Sequence, residues 1–191
     1  MCILIIYFFN GVVSSMIAIL HNIRSVYNVG SIFRTADACG IEKVYLCGIT
    51  PSPLDQFGKY RQDFSKTALG AEKTVAWEKI SSTTRLLDKL KKDGFQIFAV
   101  EQSTKSVPYH KLNLTKPDFI RLGVVVGSEV KGLSAGVLKR VDKTLEIPMR
   151  GVVVRQAHHP RHSGRGKESL NVSVAFGIVV YQLKFGNKMY G

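Results

Sequence analysis

The chain has 191 residues, 45% of them hydrophobic, which is enough for one compact domain with a buried core and too short for two comfortable ones. Its net charge of +13 indicates a polyanionic partner, because lysines and arginines displace condensed counterions from phosphates. The 3 cysteines show no CxxC spacing, which argues against a disulfide framework and a zinc site and favours a reducing cytoplasm.

The chain opens with an apolar stretch, residues 1–20, whose length approaches that of a membrane span. No Lys or Arg precedes this stretch, and polar residues interrupt it. We therefore expect residues 1–15 to be an extension outside the fold, followed by one domain over 16–185 and a tail over 186–191. A membrane anchor over residues 1–20 is the alternative, and it fails if a chain started at Met16 gives the same soluble product.

Six apolar runs with strand character alternate with helical patterns, which predicts an α/β fold. The predicted strands are residues 17–20, 43–47, 74–77, 95–100, 122–126 and 144–147.

Two helices are predicted in the first half of the chain. Apolar residues recur at helical spacing between 29 and 36, with Asn28 as a candidate N-cap and Gly40 as the stop. A second helix is expected over residues 81–93, closed by Gly94 and carrying a lysine-rich outer face.

The last predicted helix, residues 171–185, is apolar around nearly its whole circumference. Such a helix must be buried on more than one side, which favours a symmetric dimer contact. Complete burial inside the core of a monomer is the alternative.

Three separated stretches read like parts of one site. They are residues 22–40 (NIRSVYNVGSIFRTADACG), 124–134 (VVVGSEVKGLS), and a split piece at 147–151 (IPMRG) and 167–177 (KESLNVSVAFG). Together they resemble the SpoU/TrmH branch of the SPOUT RNA methyltransferases, over nearly all of residues 16–183. The resemblance implies a single SPOUT domain: a mostly parallel sheet flanked by helices, with a C-terminal deep trefoil knot that no periodicity predicts.

Members of this family move a methyl group from S-adenosylmethionine to a ribose 2′-hydroxyl of RNA. We favour tRNA over rRNA as the substrate because no separate RNA-binding domain is appended. The resemblance also implies a homodimer, and the chemistry needs no metal. Residues 49–53 and 66–77 are similar to the stretches that follow the family's second strand.

By resemblance, Arg34 is the catalytic arginine, which contacts RNA phosphate and assists removal of the 2′-hydroxyl proton. A guanidinium with a pKa above about 12 is a poor base, so we interpret Arg34 as a stabiliser of developing alkoxide. Base duty is then shared with a phosphate oxygen or deferred until the methyl transfers. Asn28 and Arg34 are expected on either side of a helix start, where anions bind readily. For an isolated arginine, a plain solvated side chain would be the favoured interpretation.

In the second motif, the resemblance places Gly127 against the cofactor and has Glu129 orient the arginine or a neighbouring backbone. On spacing alone, the G-x-E-x-x-G pattern is weak and is more typical of a plain turn before a helix. A glutamate that serves a helix dipole is the alternative for Glu129.

The third motif is expected to wrap the methionine part of the cofactor. By resemblance, Ser169 and Asn171 line the reaction centre, although both residue types are also good helix caps. The cofactor-side residues that the resemblance implies, including the end of the fourth strand, are Val100, Gly127, Ile147, Met149 and Leu170.

The departure from the family pattern is an insert at residues 152–166, which falls inside the cofactor loop. We interpret it as an idle peptide; an RNA-facing arm of its arginines is an alternative. Blockage of the methionine pocket would instead leave a non-catalytic RNA-binding protein. His158, His159 and His162 are not expected to bind metal, because Pro160 breaks any helix there and no carboxylate lies nearby.

Overall fold

The computed structural model describes residues 13–112, 120–149 and 169–186. These residues form a seven-stranded sheet in the order β3-β2-β1-β6-β4-β7-β5. The strands are β1 (Val13–His21), β2 (Lys43–Cys47), β3 (Ala76–Ile80), β4 (Gln96–Val100), β5 (Val107–Pro108), β6 (Ile120–Gly127) and β7 (Lys143–Glu146). The helices are α1 (Val26–Ala38), α2 (Gln62–Ala68), α3 (Ala71–Thr74), α4 (Thr83–Lys92), α5 (Ala135–Leu138) and α6 (Val172–Phe185), with a 3-10 turn at Tyr109–Lys111.

Every strand pair in this sheet is parallel, which confirms the predicted α/β class and the mostly parallel sheet. The carboxyl ends of the strands therefore meet at one edge. His21 lies opposite Gly127, and Val100 lies opposite both Val126 and Leu145. Open α/β sheets bind ligands outside this edge, so a site is expected at the ends of β1, β6, β4 and β7.

Helices cover both faces of the sheet and bury a core on each. On one face, Phe33 of α1, Phe64 of α2 and Phe176 of α6 are fully buried, and the Phe33 and Phe64 rings meet edge to face at 5.1 Å. On the other face, Leu87 of α4 and Val137 of α5 are fully buried. Both faces of a parallel sheet are thus removed from water, as its continuous apolar strands require.

Among the strands, the boundaries differ most from the predicted ones at β1 and β3. β1 begins at Val13, three residues before the expected start of the domain, and extends its pairing with β6. The third strand is Ala76–Ile80 rather than 74–77, because Gly70 at φ +98° starts the short helix α3, which takes up Thr74.

The second helix runs over Thr83–Lys92 after an N-cap at Ser82, and Gly94 at φ +83° follows its end as predicted. No helix within the described ranges is both long enough and apolar enough to cross a bilayer. The residues proposed as a membrane anchor fall partly in β1 and partly, over 1–12, outside the described chain.

Helix α6 has one buried side and one open side. Its buried residues are Val172, Phe176, Val179, Val180 and Leu183. On the other side Val174 is 49% exposed and Tyr181 is 48% exposed. Complete burial of this helix within the monomer, the alternative considered from the sequence, is therefore wrong.

Candidate active site

Helix α1 positions the first motif. Its N-cap is Ser25, whose Oγ accepts a hydrogen bond from the backbone N–H of Asn28 at 3.3 Å. The prediction that Asn28 is the cap was therefore wrong. Asn28 and Arg34 also do not flank the helix start, because both lie within the helix, which begins at Val26.

The side chain of Asn28 connects the three motifs. Its Nδ2 donates to Glu129 Oε1 at 2.6 Å, and its Oδ1 accepts from Asn171 Nδ2 at 3.1 Å. A carboxylate can only accept, so Glu129 fixes which end of the Asn28 amide faces it and leaves the oxygen for Asn171. Residues from the first, second and third motifs thus form one hydrogen-bonded cluster, as the sequence predicted.

Asn171 also caps helix α6. Its Oδ1 accepts from the Ser173 backbone N–H at 2.9 Å and from Ser173 Oγ at 2.7 Å. The predicted capping role of Asn171 is confirmed. Ser169 precedes the cap and is exposed.

The second motif is a tight turn after β6. Ser128 pairs with Gly132, whose N–H donates to the Ser128 carbonyl at 2.8 Å. A Cβ on Gly127 would lie 2.6 Å from the carbonyl carbon of Gly132, so only glycine allows the turn to fold back this closely. Glu129 lies in this turn and not at a helix start, since α5 has Ser134 as its N-cap. The helix-dipole alternative for Glu129 is therefore wrong.

Glu101 holds this turn in place and was not identified from the sequence. It follows Val100 at the end of β4, and its Oε2 accepts from the Leu133 backbone N–H at 2.8 Å. Its Oε1 accepts from the Gln102 N–H at 3.1 Å. Gly132, at φ +61°, lies so close to this carboxylate that an added Cβ would collide with it. A carboxylate directly after a strand was the only signal, and it is common on any protein surface.

Three of the residues expected to bind the cofactor lie at the carboxyl ends of strands: Val100 ends β4, Gly127 ends β6 and Ile147 directly follows β7. Val100 and Ile147 are half-buried and pack against the core, and Leu170 is also half-buried. Met149 is 45% exposed. Half-buried apolar side chains at this edge are the kind of wall that the adenine and methionine parts of S-adenosylmethionine need.

Arg34 lies outside the cluster around Asn28. It is exposed on α1, six residues after Asn28, and forms no hydrogen bond or ion pair with another described residue. Six residues correspond to about 9 Å along the helix axis and a turn of roughly 120° away from Asn28. Glu129 therefore orients Asn28 and not the arginine, contrary to one form of the prediction.

A second polar network lies at the end of β1, at the same edge of the sheet. His21 Nδ1 lies 2.7 Å from Thr83 Oγ1, and Asn22 Nδ2 lies 3.1 Å from His21 Nε2. Since the Asn22 amide nitrogen can only donate, Nε2 accepts and Nδ1 carries the proton. Burial lowers the pKa of His21 from its usual value, which keeps the ring neutral. Asn22, at φ +56°, also accepts from the Ile49 N–H at 3.2 Å and so ties the loop after β2 to this edge.

The two described cysteines do not contribute to the chemistry. Cys39 and Cys47 are buried, and burial raises the pKa of each thiol to about 11. A thiol with such a pKa carries almost no thiolate at neutral pH.

Comparison with known proteins identifies the family. The family model described as the SpoU rRNA Methylase family matches residues 15–154. The chain belongs to the SpoU methylase family. The SpoU/TrmH family predicted from the three motifs and its RNA-methylating class of enzyme are confirmed at this level.

Two curated relatives of this SpoU family chain carry names that specify RNA methylation. It is 31% identical over 167 residues to the tRNA (guanosine(18)-2′-O)-methyltransferase of Aquifex aeolicus, covering 87% of the chain and 67% of that enzyme. It is 30% identical to a putative TrmH family tRNA/rRNA methyltransferase of Staphylococcus epidermidis, covering 88% of the chain. The chain spans only 58% of the length of that staphylococcal relative.

Solved structures of SpoU enzymes share the fold. The crystal structure of the A. aeolicus TrmH/SpoU tRNA-modifying enzyme is 30% identical with a TM-score of 0.68, over 89% of this chain and 74% of that one. An AdoMet-bound rRNA methyltransferase from Sinorhizobium meliloti has a TM-score of 0.71 at 22% identity, over 89% of this chain and 56% of that one. At that lower identity the second likeness concerns the fold alone.

The described part of this SpoU family chain contains no group of three or more His, Cys, Asp or Glu residues that could hold a metal ion. The insert at residues 152–166, with His158, His159 and His162, lies outside the described residues.

Proposed function

We propose that this protein transfers a methyl group from S-adenosylmethionine to the 2′-hydroxyl of a ribose in RNA, with tRNA as the favoured substrate. The observation that carries the proposal is the Asn28 side chain, which joins Glu129 and Asn171 in one cluster. This cluster lies where β1 and β6 end, beside the glycine turn expected to face the cofactor. The A. aeolicus relative named as a tRNA 2′-O-methyltransferase supports tRNA, and rRNA is the rival substrate.

The cofactor-binding role is assigned to Val100, Gly127, Ile147, Met149 and Leu170. When bound, S-adenosylmethionine supplies a methyl group already activated by its sulfonium. Gly127 lets the following turn pack against the end of β6, because an added Cβ would lie 2.6 Å from the Gly132 carbonyl carbon. Glu101 keeps that turn attached to the end of β4 through Leu133.

The catalytic roles belong to side chains that face RNA. Arg34 is exposed and carries a permanent positive charge, so it can reach an RNA phosphate and stabilise the alkoxide that develops on the ribose. Asn28, Glu129 and Asn171 join the three motifs through their side chains, and Ser169, two residues before Asn171, is exposed. Accurate positioning alone can supply on the order of 7–11 kcal/mol of a reaction barrier, so a small set of residues is sufficient.

The proposal includes a homodimer joined through α6. Val174 and Tyr181 are about half exposed on a helix whose opposite side is buried, which leaves an apolar face available for a second copy. A charged residue at this face, as in Val174→Glu, should shift the protein from dimer to monomer in sedimentation velocity. A wild-type protein that sediments as a monomer would remove the dimer from the proposal.

Two finer assignments follow from the family. We place a deep trefoil knot in the C-terminal part of the domain. We place the protein in the cytoplasm, where the cofactor and the RNA substrates are found.

The direct test is methyl transfer with the purified chain. Labelled S-adenosylmethionine is incubated separately with total tRNA and with rRNA, and the products are digested to nucleosides. Label in a 2′-O-methylnucleoside of tRNA is the expected result; label in rRNA only would transfer the substrate assignment to rRNA. Binding of RNA without binding of cofactor would instead identify a non-catalytic RNA-binding protein whose pocket is blocked by the insert at 152–166.

A further inference from the structure

The loop after β2 carries a large apolar side chain into solvent. Phe57 is 77% exposed at the tip of a hairpin formed by residues 53–61, which we call the Phe57 hairpin. Leaving a phenyl ring in water is unfavourable, since burial of such a side chain is worth roughly 1.5–3 kcal/mol. An exposed phenylalanine held in a fixed position therefore needs an explanation.

The hairpin is well ordered by its own hydrogen bonds. Leu54 pairs with Tyr60, and the Asp55 N–H donates to the Lys59 carbonyl at 2.8 Å. The Asp55 carboxylate accepts from the backbone N–H groups of Phe57 at 2.8 Å and Lys59 at 2.9 Å. These bonds hold the backbone of the tip, so Phe57 projects from a rigid support.

Basic and aromatic side chains lie in the hairpin and shortly after it in the chain. Lys59 and Lys66 are exposed and form no ion pair with another described residue, and Lys73 Nζ lies 5.7 Å from the centre of the Tyr60 ring. The nearby acids are engaged: Asp55 Oδ1 accepts from the backbone, and Asp63 pairs with Arg61 at 2.8 Å. Cations that alternate with aromatic rings are the arrangement by which proteins bind single-stranded nucleic acid, with bases stacked on rings and phosphates near lysines.

The hairpin also begins at the edge of the sheet where the strands have their carboxyl ends. It follows β2, whose last residue, Cys47, lies opposite His21 in the parallel register. Asn22 binds the Ile49 backbone four residues before the hairpin starts. An RNA segment held by the hairpin would thus approach from the same edge at which the Asn28 cluster lies.

We propose that the Phe57 hairpin binds an unpaired stretch of the RNA substrate, with a base stacked on Phe57 and phosphates beside Lys59 and Lys66. The inference rests on the proposed action on RNA but assigns recognition of single-stranded nucleotides to a surface outside the three motifs. A second copy of the chain is the competing occupant of an exposed aromatic ring, and the experiment below separates the two.

The experiment measures binding of a labelled single-stranded oligouridylate and of an RNA duplex of equal length by fluorescence anisotropy. Phe57→Ala should weaken single-strand binding about fivefold to twentyfold, within the range of base–aromatic stacking, and change duplex binding less than about twofold. Phe57→Trp should retain wild-type binding. Val107→Ala removes an exposed apolar side chain on β5, the last strand in the sheet order and far from β2. This variant should leave both affinities unchanged.

The salt dependence separates stacking from charge. Between about 50 and 200 mM salt, Lys59→Gln and Lys66→Gln should each reduce the slope of log K against log salt by about 0.7, whereas Phe57→Ala should leave that slope unchanged. Equal binding by Phe57→Ala and wild type, or equal losses in Phe57→Ala and Phe57→Trp, would overturn the inference. So would a shift from dimer to monomer in Phe57→Ala with RNA affinity retained, because the ring would then contact a second copy.

Failure of the proposed RNA-binding surface can be distinguished from failure of the proposed catalytic function. If no methyl transfer is found but the Phe57 variants still discriminate single-stranded RNA, the proposed catalysis fails and the binding surface stands. If methyl transfer is found and the Phe57 variants bind single-stranded RNA as wild type does, only the binding surface is lost.

Discussion

Asn28 and Asn171, 143 residues apart in the chain, share a hydrogen bond of 3.1 Å between their side-chain amides. The bond runs from the cap of the last helix to the first helix, and the same Asn28 side chain reaches Glu129 in the turn after β6. Glu129, the one carboxylate of the cluster, determines which end of the Asn28 amide donates and which end accepts. Three segments that carry the family resemblance are thereby held together by groups that are otherwise expected to contact substrate.

Replacing Asn28 by Asp should reduce methyl transfer, because a second carboxylate would face Glu129 at the present 2.6 Å. We expect a decrease in kcat/KM of about tenfold to a hundredfold, corresponding to about 1.4–2.7 kcal/mol, with a change in unfolding free energy below about 1 kcal/mol because the cluster is largely exposed. Steady-state kinetics and urea unfolding measure the two quantities.

The matched control is the double variant Asn28→Asp with Glu129→Gln. It exchanges the donor and the acceptor, so that the new amide at position 129 donates to the new carboxylate at position 28. That carboxylate can still accept from Asn171. Activity should recover at least in part relative to Asn28→Asp alone. A double variant as impaired as the sum of the two single variants would contradict a direct hydrogen bond between these residues.

Arg34→Ala should abolish methyl transfer and leave the affinity for S-adenosylmethionine within about twofold of wild type, because the guanidinium is assigned to RNA and lies outside the cofactor edge. Isothermal titration with the cofactor and the labelled-methyl assay measure the two effects. Arg34→Lys retains the charge without the planar fork of the guanidinium. Its rate of methyl transfer should fall between those of wild type and Arg34→Ala. Equal losses of cofactor binding and activity in Arg34→Ala would refute the assignment.

Glu101→Ala should weaken S-adenosylmethionine binding by about tenfold, since the Leu133 N–H would lose its acceptor and the glycine turn would loosen. Glu146→Ala removes a carboxylate that binds Ser106 at 2.6 Å in a neighbouring loop and serves as the control. It should affect the cofactor affinity much less. Similar affinities in the two variants would show that Glu101 does not position the cofactor turn.

Acidification should destabilise the protein through His21. Burial lowers the pKa of His21 in the folded state below its unfolded value of 6.5, so the unfolded chain binds the proton more readily. The stability contributed by the neutral ring is fully present above pH 6.5. It is lost as the pH falls from 6.5 towards the lower pKa of the folded state. His21→Gln should show a smaller decrease in Tm between about pH 7 and pH 5 than wild type does. Identical decreases would mean that other groups account for the acid sensitivity.

Part of this architecture could be predicted from the chain alone. The strands at Lys43–Cys47, Gln96–Val100 and Lys143–Glu146 lie close to the predicted ranges because apolar runs in a parallel sheet are continuous and bounded by turns. The cap at Asn171 was also correct. An N-cap depends on a local rule: its side chain accepts a hydrogen bond from a backbone N–H in the first turn of the same helix.

The errors arose where long-range contacts override local rules. Asn28 has the sequence context of a cap, yet Ser25 caps the helix and frees Asn28 to bind Glu129. The resemblance predicted that the three motifs meet, but no local rule indicates that Asn28 pairs with Glu129 and Asn171, which lie 101 and 143 residues further along the chain. Glu101 was missed for the same reason, since its partner Leu133 is 32 residues further along the chain.

The most direct test of the central claim is identification of the methylated product by mass spectrometry. The purified chain is incubated with S-adenosylmethionine and total tRNA, and the RNA is digested to nucleosides. We predict a gain of one methyl group on the ribose, present with wild type and absent with Arg34→Ala. A methyl group on a base, or no methylated nucleoside from either tRNA or rRNA while the cofactor binds, would contradict the account.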